Sequence, residues 1–153
     1  MHRVTAIACA TVFIGCAKPD SRPADTSAAQ PAPQAAPTIA LADVAGTWKM
    51  RSVPESGDTS ATLYDLTASA DTSSWKMKFA SGLTVPAHVK TSGDSIVLEA
   101  GPFASQRRKA VQVTTHSVMR MAGGKLTGVT TAHYKTTGPD SVLRLRTEGT
   151  RAP

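Results

Sequence analysis

From residue 43 onward, apolar and polar side chains alternate in short runs with a period of two. "SWKMKFA" puts Trp75, Met77 and Phe79 on one side and Lys76 and Lys78 on the other. "SVLRLRT" repeats the pattern, with Leu143 and Leu145 against Arg144 and Arg146, and "GTWKMRS" sets Trp48 and Met50 against Lys49 and Arg51. That spacing belongs to extended strands with one dry face and one wet face. Turn-forming residues separate the runs at Gly57-Asp58, Asp71-Thr72-Ser73, Ser81-Gly82, Ser92-Gly93-Asp94, Gly101-Pro102, Gly123-Gly124 and Gly138-Pro139-Asp140. No amphipathic helical stripe of useful length interrupts them. The spacing predicts eight strands, at about 46–54, 61–68, 74–80, 84–91, 94–100, 109–121, 126–136 and 141–149, in an all-β antiparallel barrel or sandwich.

One hairpin can be set in register from the sequence. A two-residue loop at Gly123-Gly124 pairs Ala122 with Lys125. Met121 then meets Leu126, Met119 meets Gly128 and Val113 meets Tyr134, all on the apolar face. A slip of one residue would set Tyr134 and Leu126 against Gln112 and Arg120, which the burial of one face forbids.

Ahead of these strands the texture differs. Residues 17–42 hold nine Ala and five Pro among 26 positions, with neither helical nor strand period. Such a segment buries too little surface to offset its ordering entropy, and it reads as an extended tether. Before it, Met1-His2-Arg3 leads into an apolar run from Val4 to Ile14 that closes on Gly15-Cys16. A basic start, a short apolar core and small closing residues make an export signal. The run is shorter than the roughly 20 residues of a membrane span. Phe13-Ile14-Gly15-Cys16 resembles the bacterial lipobox, although Phe13 stands where Leu is usual. The resemblance implies cleavage after Gly15 and acylation of Cys16, giving a signal peptide over 1–15, a lipidated tether over 16–42 and a folded domain over 43–153. Ala17-Lys18 lacks the Asp that, by the same resemblance, retains lipoproteins in an inner membrane. The implied location is therefore a lipid anchor in the cell envelope, on the outer membrane facing the periplasm. Cysteine usage fits: Cys9 and Cys16 are the only two, so the mature domain has no disulfide and depends on its core.

The two ends of the domain carry a second resemblance. "ALADVAGTW" sets Leu41 and Val44 on one side of a helical turn just before Gly46-Thr47-Trp48, and the chain closes on "TEGTRAP" with Arg151. A Gly-x-Trp on the first strand with an Arg at the end of the last resembles the lipocalin-like (calycin) barrels. The resemblance implies an eight-stranded meander whose closed base is plugged by the Arg151 guanidinium over the Trp48 indole, with Arg146 the fallback partner. A guanidinium over an indole is worth roughly 0.5–2 kcal/mol. The Thr-Asp-x-Tyr loop motif of true lipocalins is missing here, and the predicted strands are shorter than theirs.

Chemistry and charge narrow the function. His88, His116 and His133 are predicted on outer faces, with His116 and His133 diagonal across the hairpin and short of a zinc coordination set. Acidic residues fall in turns, where they accept from backbone donors, and Ser residues fall in loops without a partnered His. No catalytic residues, metal or cofactor are therefore expected, and the reading is not that of an enzyme. Met50, Met77, Met119 and Met121 fall on inward faces, as do Trp75, Phe79 and Tyr134. Together they are candidate contacts for a small apolar ligand, or else a filled core. Residues 43–153 carry 14 Lys and Arg against nine Asp and Glu, a net charge of +5. That balance suits either a solvated wall or attraction to an anionic envelope component. Export argues against nucleic acid. The sequence thus points to a lipid-anchored binding module. The alternatives are a structural or protein-interaction lipoprotein with a filled barrel and an inhibitor of a wall-degrading enzyme, the last disfavoured because many such enzymes are cationic.

Overall fold

The computed structural model describes residues 38–153. The expected signal peptide, Cys16 and most of the expected tether fall outside the described residues. One short helix, α1 (Leu41–Val44), precedes eight strands: β1 (Gly46–Pro54), β2 (Thr62–Ala68), β3 (Lys76–Phe79), β4 (Thr84–Ser92), β5 (Ser95–Ala104), β6 (Gln112–Ala122), β7 (Lys125–Tyr134) and β8 (Val142–Arg151). Each strand pairs antiparallel with the next and β8 closes on β1, so the sheet is a closed meander barrel, an order consistent with lipocalin-like all-β folds. Closure removes every free strand edge.

The β6–β7 register is the one the Gly123-Gly124 loop dictates, from Val113↔Tyr134 to Ala122↔Lys125. Every strand but β1 shifts its bounds by one to four residues. β6 begins at Gln112 instead of 109 because residues 105–111 turn over the barrel end, the Ser105 amide donating to the Val111 carbonyl, and β5 and β3 differ for local reasons. β5 continues past Ala100 through a bulge between Ala100 and Phe103, where Gly101 takes φ 112°, so it reaches Ala104 instead of stopping at Ala100. Trp75 is buried just ahead of β3, its indole N–H donating to the carbonyls of Ser69 and Asp71. Ahead of Asp43, the Ile39 amide donates to the Gly93 carbonyl at 2.9 Å, and Ile39 and Leu41 pack against the core.

Apolar side chains fill the interior while charged ones stud the outer wall, among them Lys49, Arg51, Lys76, Lys78, Arg144 and Arg146. A barrel that spans a lipid bilayer needs the reverse, an apolar outer band. The wall is thus built for water.

Candidate functional site: a plugged base and a strapped chamber

The lower end of the barrel is sealed. Trp48 is completely buried and its indole N–H donates to the Val44 carbonyl at 2.8 Å, tying α1 under the first strand. Arg151 pairs directly with Trp48 across β1 and β8, and its guanidinium carbon lies 4.5 Å from the indole centre. The same guanidinium donates to the carbonyls of Ala45 and Asp43, which end α1 and have no partner within it. Gly46 is required here. It sits at φ 132°, and a Cβ on it would lie 2.7 Å from an Arg151 nitrogen. Above this plug Met50, Leu66, Ile96, Leu98, Met119 and Leu126 fill the lower barrel. Arg146, the fallback partner, stands exposed on the outer wall between Val53 and Val129.

The upper end holds free space. A cavity of about 50 Å³ lies among Tyr64, Met77, Phe79, Phe103 and Tyr134, with Val113, Ala132 and Leu145 completing its apolar wall. The rings of Tyr64 and Phe79 stand 5.5 Å apart and those of Phe79 and Phe103 5.6 Å apart, an aromatic rail along one side. Of the ligand contacts expected from the sequence, Met77, Phe79 and Tyr134 line this chamber. Met50, Trp75 and Met119 do not: they are packed into the core. Met121 is half-buried at the lower rim, where it borders an outer groove with Ile39.

A polar row crosses the barrel between the chamber and the lower core, and it was not anticipated. Ser52, Thr147, Thr130 and Ser117 form a chain of buried hydroxyls across β1, β8, β7 and β6, each link 2.8 Å long. All four sit at inward positions of the alternating pattern, so an inward-facing polar residue was the signal available in the sequence. Burial in this chamber pushes the Tyr64 phenol up to about 12, with the Ser52 hydroxyl pulling weakly the other way.

A strap closes the mouth. Residues 105–111 fold over the chamber and are fastened to every other loop at that end. The Arg107 guanidinium binds Asp58 at 2.9 Å and donates to the Ser60 hydroxyl, the Ser60 carbonyl and the Thr62 hydroxyl. Gln106 accepts from the Ser81 hydroxyl at 2.6 Å. Arg108 donates to the Asp140 carbonyl at 2.6 Å and lies 4.0 Å over the Tyr134 ring. Arg107 and Arg108 are thus committed to holding the strap down. The Ser60 backbone N–H, then the Ser60 hydroxyl and the Arg107 charge, hold the Asp58 carboxyl below its ordinary range.

On the outer wall the register sets Glu99 directly between His88 and His116, so His116 has a carboxylate neighbour that the hairpin alone did not reveal. His133 faces Thr114. Among the described residues, no group of three or more His, Cys, Asp or Glu side chains is placed to hold a metal ion. Comparison of the chain with family models, with curated proteins and with solved structures gives no match.

Proposed function

We propose that the chain is a bacterial lipoprotein, held in the cell envelope through an acylated Cys16, whose barrel is a non-catalytic module that takes a small, largely apolar guest. The observation that carries this reading is a barrel plugged at one end and strapped at the other, with a lined space beneath the strap. A core built for rigidity alone has no need of a chamber lined by four aromatic rings, nor of a loop tied down by three separate contacts above it. The free space, about 50 Å³, is far below the roughly 300–1,000 Å³ of sites for drug-sized ligands. It sets the guest at the scale of one ring or a short chain, admitted as flexible Met77 yields. The cationic outer wall complements anionic envelope material and keeps the module near it.

Mass spectrometry of the native protein from membranes tests both halves of the proposal. It should give a mature chain starting at a diacylated Cys16, and gentle ionisation should release a retained small molecule. An unacylated chain that still carries residues 1–15 would remove the anchor, and a bare barrel that also ignores added guests would remove the ligand. The modest chamber volume favours a second reading, a filled barrel acting as a rigid head for a protein partner. It predicts capture of one envelope protein and no response to small molecules.

A further inference from the structure

We infer that the upper chamber selects, among small apolar guests, an uncharged molecule bearing one hydrogen-bonding oxygen, which it reads through the Ser52–Thr147–Thr130–Ser117 hydroxyl chain. The inference rests on the proposed use of the chamber for a guest. Three bonds join four hydroxyls, so one of the four O–H hydrogens is left over. The Ser52 hydroxyl also meets the Tyr64 phenol, so when the chain runs one way the spare hydrogen is passed on to Tyr64, and when it runs the other way it falls at Ser117. Both residues line the chamber, as does Thr130. Every hydroxyl in the chain is buried, and none of the four has a backbone partner. A guest oxygen beside Ser117 or Tyr64 would accept the spare hydrogen, and a guest hydroxyl could in turn donate to a free lone pair.

Charge is excluded on the same grounds. Arg107 is the one charged side chain on the chamber lining, and its guanidinium is already engaged by Asp58, Ser60 and Thr62. A carboxylate entering the chamber would lose its water and find no free cation. The apolar lining of Phe79, Phe103 and Tyr134 takes the hydrocarbon part of the guest. The selected class is therefore a neutral alcohol, phenol or ketone of about single-ring size.

Phenol, toluene and benzoate separate the possibilities by isothermal titration calorimetry on the full chain. The first two are close in size and differ by one oxygen, and the third adds a charge. In a purely apolar chamber toluene binds more tightly, because phenol must shed water for nothing. Through the hydroxyl chain phenol binds about three- to tenfold more tightly than toluene, the worth of one neutral hydrogen bond, and benzoate gives no heat. The double variant S117A/Y64F, which removes both ends at which the spare hydrogen can fall, should reverse the order in favour of toluene, and each single variant should narrow the preference for phenol. Toluene binding as tightly as phenol to the native protein overturns the inference and leaves the chamber intact. Benzoate binding as tightly as phenol overturns the neutrality of the site. Silence with all three probes overturns this inference and the chamber's function together.

Discussion

Replacing Arg151 with Ala removes three contacts at the base in one step. The guanidinium stacks on Trp48 at 4.5 Å and donates to the Asp43 carbonyl at 2.8 Å and to the Ala45 carbonyl. Arg151 is an exposed residue, so the stacking is worth about 1 kcal/mol, nearer the exposed than the desolvated limit. Each hydrogen bond adds about 0.5–1 kcal/mol after the same discount for water. The sum predicts a loss of about 2–3 kcal/mol, large against the ~5–15 kcal/mol of a typical domain. Lysine keeps the charge but cannot serve two carbonyls and a ring face at once, so R151K should lose about half as much. Urea unfolding followed by tryptophan fluorescence measures both, with the slope of the transition unchanged. Native R151A emission should also shift red, since the plug covers Trp48. A loss below about 0.5 kcal/mol in R151A, with emission unchanged, would refute the idea that this residue seals the barrel.

Tyr64 gives a test at high pH. A phenol raised from 10 to about 12 by burial stabilises the fold fully below pH 10, and that contribution, about 3 kcal/mol, drains away as pH climbs from 10 to 12. Absorbance at 295 nm should show a late phenolate transition that Y64F lacks, and the Y64F fold should resist this part of alkaline unfolding. Gly128 should not tolerate Ala: a Cβ there would lie 2.0 Å from the Val118 carbonyl oxygen and 2.8 Å from the Met119 Cα, both backbone, so G128A should cost about 3 kcal/mol or more by thermal melting. The strap should loosen without the barrel failing: R107A and D58N should each speed amide exchange in residues 105–111 several-fold while the global unfolding midpoint stays nearly unchanged. Because the Asp58 carboxyl is depressed below 3.8, the latch is complete above that pH and should release only as pH falls further.

The alternation in "GTWKMRS" and "SWKMKFA" was enough to orient strands, because burial of one face leaves no freedom to slip a residue. The Gly123-Gly124 loop then set a whole hairpin in register. The Trp48–Arg151 pair was legible only through the resemblance to calycin barrels at the two ends of the domain, and the closure of β8 on β1 brings the two residues together. The chamber was less legible. Four inward hydroxyls on four strands are separated by up to 95 residues, and only the stagger of the closed sheet puts them in one row. The strap was hidden for a related reason: an arginine in a turn looks solvated until the loops around it are placed. Met50 and Met119 looked equivalent to Met77 by alternation. Height along the barrel separates them, and alternation carries no information about height.

Crystals of the protein held under xenon pressure test the central claim most directly, since xenon enters apolar cavities and leaves filled cores alone. A xenon atom should lie in the upper chamber among Tyr64, Phe79, Phe103 and Tyr134, with none near Trp48 at the base. A barrel with no xenon above the hydroxyl row, its upper half packed solid with side chains, would contradict the account.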